Sequence, residues 1–481
     1  MILTYRMLRF AQHRWVYREF YGLPWIPSDH STDLRLAMEE GTRKYPDRPF
    51  VLPLLDPTVI LPSHVIDEVK SLPETQVSIN ANNHRRFFGQ YTLMGAKSTE
   101  LVSSVKQDLT RNVGSLLAEM VDETRITTDS LIQINPESPV RTLPVYSTML
   151  QYITLLTGRV FVGLPLSRRA EWVSSSINYA VESMEAGHQL RQYPVFLRPL
   201  VGQFLPKVRG LKQHRARIND MLDDILAEQH SGGGRQAQTD PQRGRLASWL
   251  MQYYNSNPSE DFPAQALCKD HILALFAGIH IATNALSQVL LDLAARPEDQ
   301  TPLVEEIKSC SGSGNDVLTL ASIAKMQMLD SFIKESLRVN PPGGVVTLMR
   351  ETTAPFQPSC GPLIPKGTLI AFANNRFNMA TSVGREADPF DGSRYVRLRT
   401  KSDGKHQLLT PSPESLTWGY GVHACPGRLF AATELKVIII YLLTRFHLRL
   451  KGGGRRPPSS SFDFQIMPDM QAEIEYTLRT G

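Results

Sequence analysis

The stretch from Asp270 to Ala295 is hydrophobic on nearly every side of the helix that it would form, and Pro297 ends it. A helix without a polar face has to be buried, either in a large protein core or in a membrane. Several polar residues within the stretch favour a protein core, namely His280, Thr283, Asn284, Ser287 and Gln288. The chain is therefore expected to fold around this helix as the centre of a large core.

Most of the remaining sequence has helical periodicity. Apolar residues recur at intervals of three and four in residues 98–123 and 167–185, and a helix over residues 321–339 is expected to stop before Pro341 and Pro342. Four short runs are typical of strands: GVVTLMR, GTLIAFA, FHLRLK and AEIEYTLR. The Gly- and Arg-rich residues 231–245 are interpreted as a loop within one domain, because helical patterns continue on both sides.

The charge of the chain is only mildly positive, with a net value of +5 and dispersed charged residues. No dense block of Lys and Arg is interleaved with aromatic residues, so the sequence does not predict nucleic-acid binding. A mildly positive surface suits an acidic protein partner. The N-terminal residues 1–25 contain neither a secretory signal nor an apolar span of about 20 residues. This basic, amphipathic stretch is interpreted as a segment lying on a membrane surface or as a folded terminal helix.

The four cysteines are Cys268, Cys310, Cys360 and Cys425, and their spacing indicates neither a zinc site nor a disulfide framework. Three of them are interpreted as small buried hydrophobic residues. Cys425 differs because its surroundings, residues 418–431, read WGYGVHACPGRLFA. The glycines allow positive φ and a close approach of the backbone to a flat partner.

Pro426 suits the first turn of the helix that follows, which would place Cys425 at a helix N-terminus. The positive end of a helix dipole stabilises a thiolate. A thiolate held in one geometry, with an open side, suits a single axial iron ligand. The alternative is a buried cysteine in a glycine-rich turn, which the pattern as a whole disfavours.

The segment resembles the haem-binding loop of cytochrome P450 enzymes, whose pattern is Phe-x-x-Gly-x-Arg-x-Cys-x-Gly. Gly421, Cys425 and Gly427 match this pattern, while Trp418 replaces the Phe and His423 replaces the Arg. The resemblance implies that Cys425 ligates the iron of haem b, with Gly421 and His423 also binding the cofactor. The Trp and His variant resembles filamentous-fungal members that act in terpenoid and other secondary-metabolite pathways.

Other segments resemble the same family in its order along the chain. Glu335 and Arg338 lie at i and i+3 on one helical face and resemble its Glu-x-x-Arg motif. Residues 389–395, PFDGSRY, resemble the segment that supplies a second arginine, Arg394. The resemblance implies a buried charge network of Glu335, Arg338 and Arg394. The implied haem-propionate partners are Arg350 and Lys106.

The long helix departs from the family's oxygen-binding motif, which is Ala/Gly-Gly-x-Asp/Glu-Thr. Here residues 277–283 read AGIHIAT, so Ile281 occupies the position of the threonine. Cleavage of the O–O bond needs protons, which an isoleucine cannot supply. His280 and Thr283 are the candidate catalytic residues in its place, although Thr283 is about 200° further round the helix than Ile281. An ordered water or a substrate hydroxyl could also serve.

The resemblance extends from about residue 21 to residue 478 and implies one cytochrome P450 domain over residues 1–481. The implied fold is mainly α with a smaller β-rich portion near the N-terminus, and haem lies between the long helix and the Cys425 loop. The implied activity is a monooxygenase that oxidises a hydrophobic small molecule with dioxygen and electrons from NADPH-cytochrome P450 reductase. Fungal members usually carry a transmembrane anchor in the endoplasmic reticulum, which residues 1–20 do not resemble.

Three other functions remain open. Ile281 motivates a haem-thiolate isomerase or cyclase that needs no oxygen activation. A haem-binding protein without catalysis and a helical scaffold without haem are the others. Substrate specificity is expected in the loops around residues 81–95, 193–203 and 343–348, whose apolar character suits a hydrophobic small molecule.

Overall fold

The structure is a computed structural model that describes residues 22–26, 33–134, 138–231, 245–256, 263–311, 318–381, 390–400 and 406–479. The predictions on the N-terminal residues 1–20, on the loop at residues 232–244 and on Pro389 lie outside the described residues.

Helices make up most of the described chain. They are α1 (Arg35–Lys44), α2 (Ile66–Val69), α3 (Ile79–Arg86), α4 (Gly89–Thr92), α5 (Thr99–Ser103), α6 (Thr110–Leu131), α7 (Val145–Phe161), α8 (Ala170–Arg191), α9 (Arg198–Val201), α10 (Pro206–Ser231), α11 (Arg245–Ser256), α12 (Pro263–Ala295), α13 (Pro297–Ser311), α14 (Leu320–Lys325), α15 (Gln327–Val339), α16 (Arg394–Arg399) and α17 (Arg428–Arg445). Short 3-10 turns cover Ser63–Val65, Leu166–Arg168, Val195–Leu197, Asn375–Phe377 and Gly421–His423, and a π-helical turn, Ser104–Leu109, joins α5 to α6.

Helix α12 is the long apolar helix of the sequence, and it packs against α7, α8, α10, α15 and α17. Its polar residues Ser287 and Gln288 are fully buried. By length and composition, the part of α12 from Gln265 to Ala295 could cross a membrane, and 67% of its most apolar window is buried inside the protein. The predicted burial in a protein core is thus confirmed for most of its surface.

Two predicted helices differ in their bounds. The segment predicted as residues 98–123 runs from Thr99 to Leu131 and includes the π-helical turn. The segment predicted as residues 321–339 is two helices, because Met326 leaves the helical conformation between α14 and α15. Helix α15 ends at Val339, next to the two prolines, as predicted.

The strands are β1 (Phe50–Leu52), β2 (Thr58–Leu61), β3 (Val77–Ser78), β4 (Val140–Pro144), β5 (Val346–Thr352), β6 (Leu369–Ala373), β7 (Phe446–Leu450), β8 (Ser460–Phe462), β9 (Gln465–Met467) and β10 (Glu473–Leu478). All four predicted strand-like runs contain strands. The largest sheet has the order β1-β2-β6-β5-β3, with β2 and β6 parallel. Three of its strands come from near the N-terminus, and the other two come from residues 346–373, so the β-rich portion is assembled from two distant parts of the chain.

Candidate active site

The Cys425 loop has the conformation that its glycines permit. Gly419 and Gly421 have φ values of +71° and +76°. A Cβ on Gly421 would lie 2.5 Å from the carbonyl oxygen of Lys70, so the loop also needs glycine there for space. The Cys425 N–H donates to the Trp418 carbonyl over 2.8 Å and closes the loop.

The cysteine precedes helix α17 but is not part of it. The helix begins at Arg428 with Gly427 as its N-cap. Pro426 therefore lies in the turn before the helix, and its predicted place in the first helical turn was wrong by two residues. Burial raises the pKa of the Cys425 thiol, while a hydrogen bond from the Gly427 N–H and the charge of Arg428 act in the opposite direction. The groups at the start of α17 thus favour the thiolate, as a helix N-terminus does.

The described residues include no group of three or more His, Cys, Asp and Glu side chains placed to hold a metal ion. Within this part of the chain, Cys425 therefore does not belong to a cluster of three or more such side chains. Among the other cysteines, Cys268 is buried as predicted, whereas Cys310 and Cys360 are only partly buried.

The π-helical turn Ser104–Leu109 and the start of α6 lie against the Cys425 loop. The Thr110 hydroxyl donates to the carbonyl of Pro426 over 3.3 Å. The side chain of Val105 lies 3.4 Å from the position that a Cβ on Gly427 would take. Lys106 follows Val105 and is exposed, so the structure places it beside the loop with its side chain open to solvent.

Arg350 and His423 lie near one another. Arg350 is in β5, is 3% exposed and donates to the carbonyl of Met349. Burial lowers the pKa of Arg350 to about 10. Burial and the charge of Arg350 lower the pKa of His423, whose Nε2 is buried without a hydrogen-bond partner. An orphaned ring nitrogen beside a buried guanidinium suits an acidic group of a ligand, such as a carboxylate.

Helix α12 has one open face in the middle of its length. The Ile281 side chain is 53% exposed, and Ala277, one turn earlier, is exposed as well. Neighbouring positions such as Ile279 and Ala282 are buried. At these positions the helices packed around α12 leave an apolar face uncovered.

Neither candidate relay residue shares that face. Thr283 is fully buried, and its hydroxyl has no hydrogen-bond partner. The pKa of His280 is lowered by burial, and its ring hydrogen-bonds the backbone of Ala180 in α8. The His280 ring also packs edge-on against Phe276, with centroids 5.7 Å apart. The structure brings Ile281, and not His280 or Thr283, to the open face.

Glu335, Arg338 and Arg394 lie together. Arg338 donates to Glu335 from Nε and from Nη2, both over 2.7 Å. Nε of Arg394 lies 3.1 Å from Oε2 and 3.2 Å from Oε1 of the same carboxylate. The backbone N–H of Asp391 is a fourth donor to this carboxylate, at 3.0 Å. Glu335 is fully buried, so the carboxylate is compensated by two cations and the backbone.

Sequence reasoning missed the contribution of the C-terminal hairpin β8–β9 to this region. Asn284 of α12 donates to the Ile466 carbonyl over 2.8 Å, which holds the hairpin against the long helix. It also missed the contact between Phe87 and Phe276, whose ring centroids are 5.6 Å apart. The sequence contains a signal only for the contact within α12, because Phe276 and His280 lie at i and i+4. It contains none for the contact of Phe276 with Phe87.

Comparison with known proteins finds a matching family model and related proteins over most of the chain. The sequence model described as "Cytochrome P450" matches residues 83–473. The chain is 34% identical to cytochrome P450 monooxygenase gliF of Aspergillus fumigatus, over 96% of this chain and 94% of that protein. It is 34% identical to cytochrome P450 monooxygenase ascG of Acremonium egyptiacum, over 93% and 89%. It is 32% identical to cytochrome P450 monooxygenase 3 of Gibberella fujikuroi, over 97% and 93%.

Proposed function

The chain belongs to the cytochrome P450 family, and from that premise we propose that this monooxygenase oxidises a hydrophobic small molecule in fungal secondary-metabolite biosynthesis, of a terpenoid or related kind. Enzymes of this family hold haem through a cysteine thiolate, act on small molecules and receive electrons from a redox partner. We propose NADPH-cytochrome P450 reductase as that partner. The observation that carries the proposal is Cys425, at the start of α17 in a glycine-shaped loop.

Cys425 is proposed as the axial ligand of the haem iron. The residues around it fit the cofactor. Gly421 has no side chain, which allows the loop to lie close to Lys70. The guanidinium of Arg350 and the unpartnered Nε2 of His423 are the proposed donors to the haem propionates. Lys106, which is exposed next to the loop, is proposed as a further propionate partner.

In the proposed mechanism, bound haem would supply the chemistry that inserts one atom of dioxygen into a C–H bond of the substrate, while the other atom leaves as water with two protons and with two electrons from the redox partner. The chain holds the thiolate, with the Gly427 N–H donating to the Cys425 sulfur. The apolar side chain of Ile281 lies on the open face of α12 and has no group that forms a hydrogen bond with water. Since Ile281 cannot move a proton, the proton comes from a water or from the substrate.

The proposal of a hydrophobic substrate is supported by the side chains near the open face. Ile281 and Ala277 form that face, and the rings of Phe87 and Phe276 lie close to it. Apolar and aromatic walls with few polar groups are typical of sites for small hydrophobic ligands. The terpenoid assignment is supported by the Trp418 and His423 variant of the loop. The relatives from filamentous fungi support the assignment to fungal secondary metabolism.

We also propose that the protein contacts a membrane surface peripherally. Four large apolar side chains are more than half exposed in the connection between α8 and α10: Val195, Phe196, Leu200 and Phe204. Arg209 lies beside Phe204, with its guanidinium 5.9 Å from the ring centroid. Apolar side chains flanked by basic residues are suited to an anionic lipid interface.

The decisive experiment supplies the purified holoprotein and the reductase with an extract of the host that lacks this gene, under labelled dioxygen. We expect a hydrophobic compound to be consumed only with NADPH and dioxygen and to gain one labelled oxygen atom. Turnover without NADPH or dioxygen would instead establish the isomerase or cyclase that Ile281 motivates. If reduced protein with CO lacks the shifted absorption of thiolate-ligated haem, the proposal is wrong altogether.

A further inference from the structure

A narrow cleft lies where four segments of the chain meet: the end of α3, the turn between β1 and β2, the end of α8 and the turn of the β8–β9 hairpin. Its lining is mixed, and its apolar part includes Phe87, Met184, Phe462 and Phe464. Three charged residues, Arg86, Arg191 and Asp463, also line it.

Arg86 is buried with unused hydrogen-bonding capacity. The residue is 2% exposed, and its Nη2 donates to the Thr58 hydroxyl over 3.1 Å. Its Nη1 lies 3.8 Å from Oδ2 of Asp463, which is beyond hydrogen-bond distance. Both Nε and Nη1 are buried without a hydrogen-bond partner. Leaving such donors unpaired is unfavourable, so this guanidinium is suited to donate a hydrogen bond to a further group.

Asp463 has one occupied and one available carboxylate oxygen. Its Oδ1 accepts the Leu55 N–H over 2.8 Å, while Oδ2 has, among the described residues, only the long contact with Arg86. The second ion pair at the cleft joins Arg191 and Asp56, and its 3.0 Å contact is a normal hydrogen bond. Arg191 also donates to the Arg86 carbonyl. Arg86 and Asp463 are therefore the under-bonded pair of the four charges.

We propose that Arg86 and Asp463 form a subsite for a hydroxyl group of the substrate. Two atoms 3.8 Å apart can both contact one oxygen at about 2.8 Å, a normal hydrogen-bond length. A hydroxyl can accept from Nη1 of Arg86 and donate to Oδ2 of Asp463 at the same time. A carboxylate cannot donate and would meet the negative charge of Asp463, while a methyl group would leave both partners unpaired.

The cleft is close to the open face of α12. Phe87 lines the cleft and packs edge-on against Phe276 of α12, and the hairpin that carries Asp463 is bonded to α12 through Asn284. A substrate lying along Ile281 would therefore need to reach past one aromatic ring to place a distal hydroxyl on Arg86. This inference rests on the proposed function, because it assumes that the open face receives the substrate.

The subsite can be tested without the natural substrate, using imidazoles that carry an N-alkyl tail of graded length. The tail ends in a methyl, a hydroxyl or a carboxylate group. The imidazole nitrogen binds the haem iron and shifts the Soret band, so optical titration of the holoprotein gives the Kd of each compound. We expect one tail length at which the hydroxyl compound binds at least about tenfold more tightly than the methyl compound. The carboxylate compound is expected to bind no better than the methyl compound.

The double variant Arg86→Met/Asp463→Asn is expected to remove this preference while the methyl compound still binds. It removes both charges together, so no buried charge is left unpaired, and Asn tolerates the φ of +53° at position 463. The control Arg168→Met/Glu123→Gln removes an ion pair with a 3.0 Å contact outside the cleft and should keep the preference. Equal Kd values at every tail length, or a preference that survives the first double variant, overturn the subsite alone. A holoprotein that gives no imidazole shift at all overturns the proposed function.

Discussion

Glu335 accepts two hydrogen bonds from Arg338, each 2.7 Å long, and its carboxylate is fully buried. Arg394, the first residue of α16, approaches the same carboxylate. Glu335→Gln removes the charge of the buried carboxylate that both guanidinium groups contact. We expect the free energy of unfolding to fall by about 3–5 kcal/mol, measured by urea denaturation of the holoprotein.

The matched control for this change is Glu298→Gln, because Glu298 is exposed at the start of α13. It is expected to change the free energy of unfolding by less than about 0.5 kcal/mol. A loss below about 1 kcal/mol for Glu335→Gln would mean that solvent or relaxation compensates the arginines and that the three residues do not act as a buried network.

Cys425→Ser is expected to abolish the thiolate type of absorption in the reduced protein with CO. A hydroxyl is a harder and far less acidic ligand than a thiol, so it does not supply the same electron density to iron. The helical content, measured by circular dichroism, is expected to remain. Cys360→Ser is the control, since Cys360 is a partly buried thiol outside the loop, and it should keep the signal. Survival of the signal in Cys425→Ser would exclude Cys425 as the ligand.

Gly421→Ala is expected to destabilise the loop both by backbone strain and by a steric clash. A second variant separates these two effects. The φ of Gly421 is +76°, and the new Cβ would lie 2.5 Å from the Lys70 carbonyl oxygen. Gly452 has a similar φ of +70°, with nothing within 4 Å of its added Cβ. Gly452→Ala thus reports the conformational strain alone, about 1 kcal/mol. We expect a clearly larger decrease in Tm and in haem content for Gly421→Ala, and equal effects would contradict the contact with Lys70.

The buried hydroxyl of Thr283 is expected to have no part in proton supply. Thr283→Val replaces an unpaired buried hydroxyl with a methyl group of similar size, so stability should stay constant or rise. The product formed per NADPH consumed should also stay constant. Ile281→Thr puts a hydroxyl on the open face instead, and we expect that ratio to rise because a proton donor is added there. A severalfold drop in Thr283→Val would show that its hydroxyl does act.

Local sequence signals predicted the parts of the site that lie within a few residues of one another. The Cys425 loop depends on glycines and a helix start that are adjacent in sequence. The orientation of Thr283 away from Ile281 follows from helix geometry alone, and the structure agrees, with one side chain buried and the other 53% exposed. Such features need no knowledge of tertiary packing.

The parts that could not be predicted depend on contacts between distant segments. Strand β2 pairs in parallel with β6, more than 300 residues later, and nothing in either strand specifies that partner. The cleft at Arg86 brings together residues from α3, α8 and the β8–β9 hairpin. Asp463 belongs to no recognisable sequence motif, since single acidic residues are common in turns. Its importance lies only in the buried guanidinium opposite.

Glu434 should make the protein less stable as the pH rises. Burial raises the pKa of this carboxyl to about 8 in the folded protein, where it accepts a hydrogen bond from the Thr157 hydroxyl over 2.9 Å. The unfolded chain loses the same proton near the usual glutamate value of 4.5. Between these two pKa values the folded state binds more protons than the unfolded state, so stability falls with increasing pH, by up to about 1.4 kcal/mol per unit.

Glu434→Gln stays neutral at every pH and can still accept from Thr157. Relative to this variant, the wild-type protein is expected to lose about 2–3 kcal/mol of unfolding free energy between pH 5 and pH 7. The two proteins should be closest in stability at pH 5, where both side chains are uncharged when folded, and this comparison serves as the internal control. Urea denaturation across that range measures the difference. A gap that stays constant with pH would place the pKa of Glu434 near its ordinary value, and would mean that water or a cation reaches this side chain between α7 and α17.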